Sequence, residues 1–263
     1  EGDVWFDAFS RGRYSTDASA YQIEPVGVVV PRTWQDVISA IQIAADEEIA
    51  VLPRGGGTSQ CGQTVGQALV IDTSAYLNSV VKLDPDMQKV CVEPGIVLDH
   101  LNHRLAPHGL MFPVDVSTAA QATIGGMTGN NSCGARSVRY GTMRDNVRAI
   151  TGILADGQRR RFDTLEEGAP RDGLEEELLA IGVSEAEEIS RRFPKVQRRV
   201  GGYNIDALTL SDKTEGINLA HLLVGSEGTL AFSEAIELQL VQVPKHKVLG
   251  VCHFPKFYAA MEA

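Results

Sequence analysis

Residues 51–64, VLPRGGGTSQCGQT, run from an apolar stretch directly into three consecutive glycines and then into small or polar side chains. This loop limits the possible folds more than any other part of the chain. Without Cβ atoms, successive backbone N–H groups can point into one concavity, and such a nest binds phosphate oxygens. Thr58 and Ser59 add hydroxyl donors. Taken alone, a glycine run is also compatible with a plain turn, so its context has to decide. Two familiar nucleotide loops fail on the residues themselves. Gly57–Thr64 imitates GxxxxGK[ST], but Gln63 stands in the lysine position and a strand pattern follows where a helix is required. No GxGxxG follows any strand pattern, so the dinucleotide fingerprint of the Rossmann type is absent.

The flanking pattern is β-α-β. VGVVVP from Val26 reads as a strand. TWQDVISAIQIAADEE reads as a helix with Thr33 as N-cap and Val37, Ile38, Ile41 and Ala44 or Ala45 on one face. AVLP leads into the glycines, ALVID (68–72) is a further buried strand, and VVKLDPDMQKVCVEPG reads as a hairpin turning at LDPDMQ. VLDHLNHRLAPHGL is a helix stopped by Pro107 and Gly109. The expected organisation is an irregular lead-in over 1–21, a first α/β lobe over 22–110 and a second over 111–244.

In the second lobe, 111–146 shows little helical or strand periodicity and reads as a long functional loop rich in small residues. VRAITGILADGQRRRF is a hairpin turning at Asp156-Gly157. The charged stretch 163–199 is expected to be a solvated helical insertion. Its basic run RRFPKVQRR is flanked by acids, which argues against a nucleic-acid surface. NLAHLLVGSEGTLAFSEAIELQLV predicts two strands around a glycine turn. KVLGVCHFP and FYAAMEA predict a strand and the opening of a helix, the start of a truncated C-terminal domain over 245–263.

Charge and cysteine usage narrow the function. A net charge of −10 disfavours general nucleic-acid binding, so an anionic ligand has to be held locally. Cys61, Cys91, Cys133 and Cys252 form no CxxC pair, which argues for reduced thiols and against a zinc or iron-sulfur site. No apolar run of about 18 residues and no signal-peptide pattern occurs, so the expectation is a cytoplasmic protein without a transmembrane segment, at most peripheral to a membrane in the full-length enzyme.

Three segments then carry a resemblance: PRGGGTSQCGQ, PVDVSTAAQATIGGMTGNNSCGARSVRYGTMRDNV and GSEGTLAF, supported by RVGGYNIDAL (199–208) and the lead-in RYSTDASAY. In that order and spacing the chain, over about residues 13–245, resembles the FAD-binding domain of the p-cresol methylhydroxylase/vanillyl-alcohol oxidase superfamily. Within it, the likeness is strongest to the FAD-linked 2-hydroxy acid dehydrogenases acting on D-lactate, glycolate or D-2-hydroxyglutarate. The resemblance implies an α+β fold of two α/β lobes with FAD between them. It places Pro53, Arg54, Gly55, Gly56, Gly57, Thr58 and Ser59 around the pyrophosphate, with Gly62 and Gln63 close by. It places Pro113, Asp115, Ser117, Thr123, Ile124, Gly125, Gly126, Asn130 and Gly134 along the ribityl chain and flavin ring, and Glu227 and Gly228 at a late cofactor contact. Relatives that attach flavin through histidine carry it just after the glycines. Thr58 stands there in this chain, so the expected FAD is non-covalent; Cys133 is the alternative attachment point.

The implied reaction removes a hydroxyl proton and delivers the α-hydrogen of a 2-hydroxy acid to flavin as hydride. The sequence offers no convincing base. His100 and His103, at i and i+3, lack a third metal ligand and read as an exposed helix face; His221 reads as structural, and no metal site is expected. In the family the base, the carboxylate-binding residues and any metal come mainly from a cap domain with an HxGDGNxH-type motif, which this sequence does not contain. The electron acceptor is not readable. Two other readings stay open: a flavin-dependent reductase of UDP-N-acetylenolpyruvoylglucosamine type, and a non-catalytic nucleotide-binding or electron-transfer module.

Overall fold

The computed structural model describes residues 1–166, 168–209 and 216–263, so Glu167 of the charged segment lies outside the described residues. The chain begins with a strand, β1 (Asp3–Trp5), and a helix, α1 (Ala8–Tyr14), where the sequence suggested an irregular lead-in. A three-residue strand is too short to show a period, and α1 buries no side chain that would mark a face. β2 (Gly27–Val30) takes β1 antiparallel along one edge. α2 (Trp34–Asp46) starts, as read, at Thr33, which forms a capping box with Asp36, and it buries Val37, Ala40, Ile41 and Ala44. β3 (Val51–Arg54) and β4 (Leu69–Asp72) then pair in parallel, giving a first sheet of order β1-β2-β4-β3.

β5 (Val80–Asp84) and β6 (Lys89–Val92) form the expected hairpin, and α3 (Leu98–Leu105) follows. Gly109, at φ 66°, ends α3 after one 3-10 turn, a left-handed conformation that glycine adopts without strain. The two-residue strand β7 (Leu110–Met111) leads into a segment that contains more structure than its composition suggested. α4 (Ile124–Asn130), α5 (Ser137–Tyr140) and α6 (Met143–Asn146) all form there. Glycine at three of the seven positions of IGGMTGN hides the helical signal, since glycine costs about 1 kcal/mol each in a helix interior. Tertiary packing of the fully buried Ile124 and Met127 overrides that penalty.

β8 (Val147–Ile153) and β9 (Arg159–Phe162) make the hairpin read from Asp156-Gly157. The charged segment holds α7 (Gly173–Ser184) and α8 (Ala186–Arg192). The first of the two strands expected in NLAHLLVGSEGTLAF is instead a helix, α9 (Ala220–Leu223), so His221 precedes no strand. A short apolar run fits either element until its neighbours are known. β10 (Phe232–Gln239) is the second, and β11 (Val241–Gln242) pairs with β7. No strand forms over 247–255. Val248 and Leu249 are 94% and 88% exposed, and only α10 (Phe257–Glu262) follows. An apolar run becomes a strand only when a sheet edge pairs with it.

The second sheet is antiparallel, of order β5-β6-β10-β8-β9. The β5-β6 hairpin, read from sequence with the first lobe, is thus hydrogen-bonded into the second sheet. β10 alternates buried and half-buried positions and forms its spine. The largest core packs α3, α4 and α9 against this sheet, and a smaller one packs α2 between Leu69 and Ile71 of the first sheet and Ile153 and Phe232 of the second. The α2 core therefore fixes how the two sheets face each other.

Candidate functional site

A cavity of about 420 Å3 opens where the C-terminal ends of β3 and β4 meet α4 and the turn before β10. Ligands bind at this end of parallel strands in open α/β sheets, because chain reversals there leave a crevice. One wall is the loop after β3. Among the described residues, no backbone N–H from Gly55 to Thr64 donates to a protein acceptor. Unpaired donors in such number need water or an anionic ligand as partners.

The glycines hold this loop against the opposite wall. A Cβ on Gly55 would lie 2.0 Å from Thr123 Oγ1, and one on Gly56 would lie 2.2 Å from the Gln121 carbonyl oxygen. Gly57 adopts φ 62°. The loop can approach the start of α4 only because those side chains are missing. The second wall is α4, whose N-cap Thr123 accepts from the Gly126 N–H at 3.3 Å. A Cβ on Gly125 would lie 2.5 Å from Pro94 Cβ, so this glycine lets α4 seat on the loop after β6.

The third wall is the turn after α9. Glu227 sits at φ 53°, a left-handed conformation uncommon for a non-glycine residue. Its backbone N–H donates to Gly129 O at 2.9 Å. Its Oε1 accepts from Asn130 Nδ2 at 3.0 Å and Gln63 Nε2 at 3.4 Å, Ser59 Oγ donates to Gln63 Oε1, and Ser132 Oγ donates to Asn130 Oδ1 at 3.2 Å. This chain of hydrogen bonds joins all three sequence motifs across the cavity. Glu227 is open to water on the cavity side, yet enough protein surrounds it that desolvation raises its carboxyl above the ordinary range, against the two amide donors.

Of the residues that the resemblance places at the cofactor, all line the cavity except Gly62, Pro113, Asp115, Ile124 and Gly134. Those five support its walls. Gly62 turns at φ 80° against Tyr21, Pro113 is buried, and Ile124 is a core side chain. Asp115 Oδ1 accepts from the Arg136 N–H at 2.9 Å, and Gly134 packs on Asp115 so closely that a Cβ would lie 1.9 Å from its carbonyl oxygen. Arg54 borders the cavity but turns its guanidinium away, donating to the carbonyls of Tyr14, Thr16 and Thr64 at 3.0, 2.7 and 2.9 Å. Sequence reading missed Thr118, Gly129, Ser132, Val200, Ser226 and Phe232, which also line the cavity. All six lie inside quoted segments; Thr118, Gly129, Ser132 and Ser226 were within reach there, whereas Val200 and Phe232 carry no polar signal. Cys61 and Cys133 line the cavity as free thiols. His100 and His103 are exposed on α3, and no metal-binding group of His, Cys, Asp or Glu occurs among the described residues.

The segment at Val200 is anchored by charge. Arg144 Nη1 and Arg199 Nη2 bond the two carboxylate oxygens of Asp206 at 2.9 and 2.6 Å. Desolvation alone would raise the Asp206 carboxyl; the two arginines outweigh it and hold the group below its ordinary range. A depressed carboxyl contributes stability above its unfolded pKa of about 3.9 and loses it as pH falls through the folded value. Asp206→Asn is expected to lower unfolding free energy by about 2 kcal/mol at pH 7, allowing for partial exposure of the pair. In urea melts that difference closes below about pH 4.

A glycine loop at the ends of parallel strands, beside an antiparallel sheet and a cavity that all three motifs share, makes a built site for an anionic ligand. The chain belongs to the FAD binding domain family, which it matches over residues 25–163. It is 33% identical to D-2-hydroxyglutarate dehydrogenase of Escherichia coli over 99% of this chain and 27% of that protein. It is 34% identical to D-lactate dehydrogenase [cytochrome] 1, mitochondrial, of Saccharomyces cerevisiae over 94% of this chain and 35% of that one. The chain therefore spans about a quarter to a third of the length of these relatives, and it is homologous to 2-hydroxy acid dehydrogenases. A structure of alkyldihydroxyacetonephosphate synthase superposes with a TM-score of 0.65 at 19% identity, covering 92% of this chain and 38% of that one. The mixed α+β fold of the p-cresol methylhydroxylase type is thus shown. No helix among the described residues is long and apolar enough to cross a membrane.

Proposed function

We propose that this chain holds FAD non-covalently and forms the cofactor-binding part of an enzyme that oxidises a small D-2-hydroxy acid. The observation that carries this reading is the run of backbone N–H groups from Gly55 to Thr64 that donate to no protein acceptor among the described residues, in a loop that lines a cavity wide enough for a ligand. A diphosphate fits that wall, because fixed amide dipoles neutralise it on an acidic protein without a basic surface. Ser117, Thr123, Gly126 and Asn130 lie along the opposite wall, where the absence of bulky side chains lets backbone approach a flat ring.

The loop from Gly55 to Thr64 and the start of α4 would hold FAD, which would supply the hydride-accepting redox chemistry for oxidation of the 2-hydroxy group. This chain's contribution is binding and orientation: the amides of the glycine loop hold the anionic linker, and the Ser59-Gln63-Glu227-Asn130 chain spans the cavity. No residue lining the cavity is placed as the substrate base, and that role falls to other parts of the enzyme. Thr58 at the histidine-attachment position supports a non-covalent cofactor.

The test incubates the purified chain with FAD, removes the excess by desalting and precipitates the protein with acid. Flavin absorbance that is retained at one equivalent and then appears in the supernatant is the expected result. Flavin left in the pellet overturns the non-covalent assignment. A folded but colourless chain that instead binds ATP or a UDP-sugar overturns the cofactor itself.

A further inference from the structure

Several arginines of this acidic chain are matched by carboxylates, and others, such as Arg13, Arg32 and Arg171, stand exposed away from the cavity with no ion pair among the described residues. Arg159, Arg160 and Arg161 on β9 each face at least one carboxylate, as do Arg191 and Arg192 on α8. Three exposed arginines stand near the cavity. Among the described residues, Arg136, Arg139 and Arg198 form no ion pair. Arg136 and Arg139 stand at i and i+3 at the start of α5, so they share a side of that turn. Arg198 reaches the same place from another segment, its Nη1 donating to Gly134 O at 3.2 Å. The guanidinium fork carries five donors, so that single bond leaves most of them available.

None of the three lines the cavity itself, but their chain neighbours do. Cys133, beside Gly134, and Val200, two residues beyond Arg198, both line it. Inside, among the described residues, the only charged ones on the walls are Arg54, whose guanidinium is committed to three carbonyls, and Glu227. The carboxylate facing the cluster, Asp115, accepts the Arg136 backbone N–H and abuts Gly134. An anion arriving at this side of the cavity therefore meets cations at the rim and none free within.

We propose that Arg136, Arg139 and Arg198 form a cationic rim that captures the carboxylate of the small organic acid before it enters the cavity. The planar fork of arginine matches a carboxylate in a bidentate manner, and unpaired charge at a cavity mouth raises the local concentration of anions. Only the naming of a 2-hydroxy acid as the ligand rests on the proposed function; the rim itself rests on geometry and charge.

The test follows the arginine side-chain Nε–H signals by NMR, on the chain with and without FAD, while D-2-hydroxyglutarate, D-lactate or sulfate is added at constant ionic strength. The signals of Arg136 and Arg198 are expected to shift saturably with the organic acids, more tightly for the dianion than for the monoanion. The double variant Arg136→Gln/Arg198→Gln, checked by thermal melting for an intact fold, should weaken binding at least about tenfold, an effect that shrinks in high salt. The double lysine variant should fall between the two. Unshifted arginine signals, or a glutamine variant that binds as the parent does, overturn the rim. Sulfate acting at the same concentrations as the organic acids overturns the carboxylate assignment. Loss of FAD retention with the carboxylate shifts intact would refute the flavin reading and leave the rim standing.

Discussion

Gly56→Ala is expected to abolish FAD retention. The new Cβ would sit 2.2 Å from the Gln121 carbonyl oxygen and 3.0 Å from its carbon, both backbone atoms that no rotamer change can move aside. The methyl group therefore points into the opposite wall of the cavity and not into the nest, and relief requires the glycine loop to separate from the turn before α4. Overpacking of this kind costs about 1–3 kcal/mol of stability. Binding suffers more, because the donors of one wall lose their position relative to the other. A loss of about a hundredfold in FAD affinity, equivalent to ~2.7 kcal/mol, is expected in a fluorescence titration. Gly66→Ala is the control: its Cβ meets nothing nearer than Leu52 Cδ2 at 3.8 Å, and FAD binding should be unchanged. Equal FAD affinity in Gly56→Ala and the parent would mean that the contact between loop and turn does not shape the binding site.

The same glycines explain how much of the molecule was legible in the sequence. The β-α-β frame around the loop announces itself through local signals: the Thr33 cap, the 3.6-residue stripe of α2 and the buried runs of β2 and β4. Those signals depend on side chains, and the site is built largely where side chains are absent. IGGMTGN became a helix because Ile124 and Met127 are buried and because Gly125 lets it seat on Pro94, neither of which periodicity records. The β5-β6 hairpin was readable as a hairpin, but its pairing with β10 joins residues nearly 150 apart and has no local trace. Motif order located the three walls of the cavity. It left unread that Arg54, inside the best of those motifs, faces away from it.

Replacing Arg54 with alanine is expected to give the second large effect, and its character separates a brace from a ligand. The guanidinium donates to the carbonyls of Tyr14, Thr16 and Thr64 and lies 5.2 Å from the centre of the Tyr14 ring, whose hydroxyl donates to Asp72 Oδ2 at 2.7 Å. It thereby ties the segment after α1 to the far end of the glycine loop. Removing it leaves three carbonyls without their charged donor, and a loss of about 3 kcal/mol in unfolding free energy is expected. Arg54→Lys should recover little of it, since one ammonium cannot span three acceptors held by a planar fork. FAD affinity should fall in both variants because the loop from Gly55 to Thr64 loses its anchor. The salt dependence of FAD binding then decides between the two roles. A side chain that neutralises phosphate contributes to that dependence, and lysine would preserve it as a point charge. A brace contributes nothing to it. Parallel salt curves for the parent and both variants, displaced only in affinity, are the expected result; a slope that flattens in Arg54→Ala and recovers in Arg54→Lys would place the guanidinium on the diphosphate after all.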